Sequence, residues 1–297
     1  MDQSTLIDLL ITSVLRGGIY ASMAVGLALV FGVMNICHFA HGEYYVLGAY
    51  TAFFVYTALG FDPILTIITA ALASFVAGAI TEKLLFYPLR KRSRGEWVMN
   101  AFLLTAGLSV ILQSSYRVLF GTKYRGITQY WDASVKFLGQ TIPADRVIAF
   151  GIAMVSIVAL WFFLQKTRTG RAIRAVSQDE NGARLVGIDM NRIQTLTFAL
   201  GSMLAGLSGA AMLSLSPAYP YAGNKPLIAS WFVVTIAGLG NVEGAVVGGF
   251  IVGIFESVTF FFLGSGWQEV ASLAFLIILL LFKPTGLFGT HIKSVWE

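Results

Sequence analysis

The chain has 297 residues, 57% of them hydrophobic and only 12% charged, with a formal net charge of +5. A soluble domain carries roughly 25% charged residues to face water, so twenty Lys and Arg with fifteen Asp and Glu exclude an ordinary soluble fold. They also exclude a nucleic-acid face: five basic residues lie in Lys83–Arg94 and six in Lys166–Arg192, between apolar runs, which is the positive-inside pattern of a membrane protein.

Cys37 is the single cysteine, so neither an intrachain disulfide nor a thiolate metal cluster can form. Met1–Ser4 lacks the basic start of a secretory signal, and the first apolar stretch is expected to be retained as structure. A membrane span needs about 20 mostly apolar residues, because roughly 30 Å of hydrocarbon is crossed at about 1.5 Å per residue. In chain order, residues 5–15 read as a short leading helix at the membrane surface. Candidate spans follow near 17–36, 43–60, 63–82, 98–118, 147–165, 193–215, 227–241, 243–263 and 267–283. The 227–241 stretch is short and Gly-containing, which suits a half-helix or re-entrant segment. The expected fold is therefore all-α: one polytopic transmembrane bundle over 1–297 with eight or nine spans.

If both basic loops are cytoplasmic, residues 119–146 lie outside and the tail from Lys283 lies inside. The N-terminus is outside if all nine spans cross, and one re-entrant segment reverses it. Within 119–146, Val135–Leu138 and Gln140–Ile142 flank Gly139 and predict a small extracytoplasmic β-hairpin that Pro143 ends. Ala40-His41-Gly42-Glu43 with Leu47-Gly48-Ala49 echoes Ala222-Gly223-Asn224-Lys225 with Leu227-Ile228-Ala229. Inverted repeats are common in transporters, and the expected topology puts these two segments on opposite sides of the membrane.

Small residues recur four apart at Gly18, Ser22 and Gly26, at Ser202 and Gly206, at Gly244 and Gly248, and at Gly249 and Gly253. Such spacing lets helix backbones approach closely, a packing role. Asn35, His38, His41 and Glu43 cluster after the first span. Without a fourth ligand elsewhere they make a poor metal site. A helix-breaking turn accounts for them, and a share in a substrate path is the alternative. Glu256 sits within an apolar run, where an ionisable group is costly unless it is paired or faces a wet cavity. It is either a path residue or a hydrogen-bonded structural carboxyl. Asn100, Thr105, Gln113 and Ser114 add polar groups to the 98–118 span.

The second basic loop, 166–192, carries dense order signals. Asp179 can cap a short helix with Glu180 in its first turn, and Gly187 can stop it, leaving Leu185 and Val186 for a partner. No G-x-x-x-x-G-K-[ST] run occurs, so ATP cannot be held in a P-loop, and no Ser-His-Asp order or H-E-x-x-H run marks a catalytic set. No catalytic residue and no metal ligand is assigned.

Taken in order, Asn35–Glu43, Tyr87-Pro88-Leu89-Arg90, Thr169–Ala175, Ala183–Ile188, Gly238–Asn241 with Gly244-Ala245, and Lys283–Gly289 resemble the branched-chain amino-acid ABC importer permeases. The shorter, LivH-type subunit of these hydrophobic amino-acid uptake systems is the better match. The resemblance covers essentially the full length. It implies a multi-pass subunit of the bacterial inner membrane that pairs with a second, LivM-like permease. Two cytoplasmic ATPases and an extracytoplasmic substrate-binding protein, docked near 119–146, would complete the importer. The chain itself would bind no cofactor, ATP and Mg being used by the ATPases. Transport of leucine, isoleucine and valine would proceed by alternating access.

By the same resemblance the loop is a cytoplasmic coupling helix, and Ser177, Asp179, Glu180, Ala183, Arg184, Leu185 and Gly187 face the ATPase. Asn35, His41, Asn100 and Glu256 are the candidates for the substrate path. Import of urea or short-chain amides is the alternative within the family. A stand-alone secondary transporter or channel is the alternative of another class, and an intramembrane enzyme has no catalytic set to support it.

Overall fold

The computed structural model describes residues 3–93, 97–137 and 139–289. Arg94–Glu96 of the first basic loop, Leu138 of the hairpin and the tail beyond Gly289 lie outside the described residues. Twelve α-helices are formed in the described part: α1 Gln3–Met34, α2 His41–Leu59, α3 Pro63–Thr81, α4 Tyr87–Arg92, α5 Trp97–Phe120, α6 Ala144–Lys166, α7 Arg168–Gln178, α8 Glu180–Leu185, α9 Met190–Ala211, α10 Asn224–Ala237, α11 Val242–Leu263 and α12 Gln268–Phe282. Two strands, β1 Ser134–Phe137 and β2 Gln140–Pro143, pair antiparallel with Ser134 opposite Pro143 and Phe137 opposite Gln140. The hairpin turns at Gly139, whose φ of 82° suits a residue without a Cβ.

Seven helical stretches among the described residues are long and apolar enough to cross a membrane, against the eight or nine expected. The difference lies in α2 and α10. α10 has 14 residues and at about 1.5 Å per residue is too short to cross. α2 opens on His41, Gly42 and Glu43, which lowers its hydropathy. The separate leading helix expected over 5–15 is also corrected, because α1 runs unbroken for 32 residues. Nothing interrupts it: there is no proline, and Gly17 and Gly18 are held within the helix by packing on both sides.

α1 and α9 form the core, with 78% and 72% of their apolar windows buried, whereas α5 and α12 are 17% and 11% buried and face outward. Glycine makes the core close. A Cβ on Gly253 would lie 2.5 Å from the Gly17 Cα, and one on Gly249 would lie 2.6 Å from the Ala21 Cα, so α11 meets α1 backbone to backbone. α2 meets α9 in the same way, since a Cβ on Gly48 would sit 2.0 Å from the Gly206 oxygen. The outward surface is apolar, with Leu72 and Val76 on α3 and Val110 and Ile111 on α5 all more than half exposed, as lipid requires.

The two ends of the bundle differ. At one, the hairpin packs on α6, and Arg125 exchanges backbone hydrogen bonds of 2.8 Å with Ala218 in the loop after α9. The Asp145 carboxylate accepts from the Tyr130 and Trp131 amides, both at 3.0 Å, which ties this segment to the start of α6. At the other end, α4, α7, α8 and the start of α9 gather, carrying Arg90–Arg92 and Arg168–Arg192. Thr167 caps α7 through the Gly170 amide at 2.9 Å. These are called the hairpin end and the basic end.

Candidate functional site

α1 stops where Asn35 takes a left-handed φ of 52°, the only described non-glycine residue to do so. Asn tolerates this conformation better than most residues. Residues 35–40 then turn the chain, with the His41 amide donating to the His38 oxygen and the Glu43 amide to the Ala40 oxygen. From His41, α2 runs to the hairpin end, where Tyr56 meets Tyr130. α10 begins beside the start of α2 and runs the other way, so that the Leu287 and Phe288 amides donate to Ile236 and Ala237 at its end. The two N-termini touch: a Cβ on Gly42 would lie 2.6 Å from the Gly223 oxygen. The expectation that the echoing segments lie on opposite sides of the membrane is therefore corrected. They face each other at mid-bundle, and only their helices diverge.

The N-termini of α2 and of the short α10 converge, which brings two positive dipole ends together within the bundle. α5 covers this junction. Thr105, Ser109, Gln113 and Tyr116 share one of its faces, being four, four and three residues apart. Glu43 is almost fully buried, and one of its oxygens accepts from Ser109 Oγ at 2.9 Å and Gln113 Nε2 at 2.7 Å. The same amide nitrogen lies 3.2 Å from Asn224 Oδ1 at the start of α10. Tyr116 donates to the Glu43 carbonyl at 2.9 Å.

Apolar groups stand beside this polar cluster. Phe39 packs its ring against Phe102 and Trp231, at centroid distances of 5.2 and 5.8 Å. A pocket of about 320 Å³ opens here, lined by Phe39, Ala106, Ser109, Asn224, Leu227 and Ile228. Its polar wall offers both donors and acceptors, and its apolar wall offers aromatic and aliphatic surface. A small amphipathic solute is what such a pocket can hold.

The path residues expected from the sequence do not converge. Asn35 is exposed at the break and His41 lies buried beside it, its Nε2 3.2 Å from the Met23 carbonyl. Asn100 donates to Ser93 at 3.2 Å near the basic end. Glu256 accepts from Tyr20 at 2.8 Å, between α1 and α11 and towards the hairpin end. Glu43, from the cluster for which a share in the path is the alternative reading, completes the junction together with Phe39, Ser109 and Asn224, which the sequence does not single out for the path. Gln113 links the two segments, its amide nitrogen reaching both Glu43 and Asn224. His38 is fully buried against Phe198, ring centroids 4.7 Å apart. Among the described residues, no group of three or more His, Cys, Asp and Glu side chains could hold a metal ion.

The loop at the basic end folds as its caps dictate. Asp179 accepts from the Gly182 amide at 3.0 Å, opening α8. At its end Gly187 has φ 84° and donates to Arg184, while Ile188 donates to Ala183, which closes the helix in a Schellman pattern. Glu180 and Arg184 pair at 2.5 Å one turn apart. Ala183 is buried, Ser177 is exposed, and Leu185 and Val186 protrude at 89% and 78% exposure.

Comparison with known proteins gives one coherent answer. Residues 9–282 match the family described as branched-chain amino acid transport system / permease component. The high-affinity branched-chain amino acid transport system permease protein LivH of Salmonella typhimurium is 28% identical over 287 residues, 92% of each chain. BraD of Pseudomonas aeruginosa, similarly described, is 29% identical over 294 residues, 94% of each chain. LivM of Salmonella typhimurium is 28% identical over 252 residues, 75% of this chain but 57% of that one. No solved structure gives a significant match. The chain is a multi-pass inner-membrane protein that belongs to the branched-chain amino acid transport permease family, as a LivH-type member.

Proposed function

We propose that the chain is the membrane subunit of an ATP-driven importer that moves leucine, isoleucine and valine inward by alternating access. A second, LivM-like permease, two cytoplasmic ATPases and an extracytoplasmic binding protein complete the machine. ATP and Mg are handled by the ATPases, so this chain has no ATPase site of its own and needs no cofactor. The names of its relatives support the substrate class. The observation that carries the reading is the amphipathic pocket where α2 and α10 begin. Ser109 and Asn224, the latter held by Gln113 behind the pocket, suit the charged ends of a zwitterion, and Phe39 and Ile228 suit an aliphatic side chain.

In this reading Asn35 and His41 hold the break from which α2 starts. Glu256 fixes α1 to α11 beside the hairpin end, and Asn100 fixes the basic-end turn of α5. The coupling set is Ser177, Asp179, Glu180, Ala183, Arg184, Leu185 and Gly187, with the Leu185 knob seated in an ATPase groove. The capped rigidity of α8 supports that role, because a stiff element transmits motion that a slack loop absorbs.

The test is uptake by the complete importer in proteoliposomes. Gln113→Leu with Asn224→Leu removes two hydrogen-bonding groups, each worth about 1 kcal/mol, and leucine uptake is expected to fall at least about tenfold. Binding-protein stimulation of ATPase activity should persist. Unchanged uptake would remove the pocket from the path. Uptake of urea in place of leucine would move the assignment to amide import, and uptake surviving without ATP would overturn the importer reading.

A further inference from the structure

A second cavity, of about 840 Å³, opens at the basic end between α3, the start of α9 and the segment that joins α3 to α4. That segment, Glu82–Phe86, is a π-helical turn in which the Tyr87 amide bonds five residues back to Glu82. Pro88 follows and has no N–H to continue an α-ladder. At this turn Glu82 is fully buried and Lys83 is exposed. Such turns are frequent at functional sites.

The rim and floor of this cavity differ in character. Lys83, Tyr87 and Arg192 form the rim, and Phe75, Ala79 and Leu196 form the floor. The nearest carboxylate is already committed, because Glu82 accepts from both Arg90 and Thr195. Asp189 accepts from the Asn191 and Arg192 amides at the start of α9. Among the described residues, neither Lys83 nor Arg192 forms an ion pair. The floor is continuous with the lipid-facing side of α3, where Val76 and Ile80 are 53% and 51% exposed. Two free cations and an interfacial tyrosine therefore stand where the apolar surface ends.

We propose that this cavity is a binding site for one anionic phospholipid of the leaflet at the basic end. Its phosphate lies between Lys83 and Arg192, its glycerol region lies against Tyr87, and one acyl chain lies along Phe75, Ala79 and Leu196. Basic pockets between transmembrane helices select anionic headgroups by charge, and the floor distinguishes a lipid from a free phosphate. The buried Glu82–Arg90 pair beneath the rim supports the π turn, so the site joins α3 to α9 through the lipid as well as through protein.

Native mass spectrometry of the full chain with its partner subunits tests this, using added phosphatidylglycerol or phosphatidylcholine. One phosphatidylglycerol is expected to be retained per chain. Lys83→Gln with Arg192→Gln should weaken that retention at least about tenfold, on the usual worth of two basic residues near a membrane surface, and leave phosphatidylcholine unchanged. Ala79→Trp fills the floor with both charges intact and should also release the lipid. If Ala79→Trp fails to assemble, the charge variant decides alone. Equal retention by native and charge-variant chains would overturn the site. Displacement by excess inorganic phosphate would overturn it as well, because a headgroup-only contact needs no floor.

Discussion

Gly42 and Gly223 meet where no side chain fits, and each faces the other's carbonyl oxygen. Adding even a methyl group at Gly42 forces the starts of α2 and α10 apart, and overpacking of this kind costs typically 1–3 kcal/mol. Gly42→Ala is therefore expected to lower the melting temperature and to cut leucine uptake. Gly107→Ala on α5, where nothing lies within 4 Å of the added carbon, should leave the melting temperature of the isolated chain unchanged. A second residue-scale prediction concerns Glu43. Its Ser109 and Gln113 partners lose their acceptor in Glu43→Ala, at a cost of about 1–3 kcal/mol. Glu43→Gln keeps an acceptor oxygen in place and should retain more uptake than Glu43→Ala; the reverse order would remove this hydrogen-bond account. The cluster was visible in the sequence as polar residues in an apolar setting. Which of them face one another was not, because Glu43 and Ser109 are 66 residues apart.

At the scale of elements, what is local was legible. α8 starts at Asp179 and ends before Gly187, as its capping residues indicate, because each cap is decided within four residues of sequence. The hairpin turns at Gly139 for the same reason. Span counting was less reliable, since hydropathy measures composition and α2 spends its first turn on His41 and Glu43. The unbroken α1 was missed because Arg16, Gly17 and Gly18 look like a boundary, yet the glycines are contact points for α11 and α6. Element-scale predictions follow from the caps and the knob. Asp179→Ala removes the Gly182 hydrogen bond and should cost α8 about 1 kcal/mol. Leu185→Asp should leave the fold intact, since the side chain touches little of its own chain. In both variants, ATP hydrolysed per leucine transported is expected to rise, most in Leu185→Asp. A normal ratio in Leu185→Asp would show that the knob seats in nothing.

For the whole molecule, the mid-bundle starts of α2 and α10 decide how the passes add up. α1 begins beside β2 and ends near Gly240, since a Cβ on Gly32 would lie 2.9 Å from that residue's oxygen. α2 returns only from mid-bundle to the hairpin end, and α10 descends only from mid-bundle to the basic end. Seven long helices, with α2 and α10 each running from mid-bundle to one end, thus place the start of α1 and the end of α12 at opposite ends. The positive-inside rule then orients the assembly, because Arg90–Arg92 and six further basic residues from Lys166 to Arg192 lie at one end. This orientation is open to direct labelling, and the single Cys37 makes the background simple to remove. In a Cys37→Ser chain, Lys136→Cys on β1 should react with an impermeant maleimide applied outside intact cells. Leu185→Cys and Arg92→Cys should react only after the membrane is opened. If Lys136 and Leu185 are labelled from the same side, α6, the one long helix between them, does not cross, and the two ends of the bundle do not lie on opposite sides of the membrane. The junction at Gly42 and Gly223 would then no longer lie at the membrane centre, and the pocket beside it would lose its place on the path.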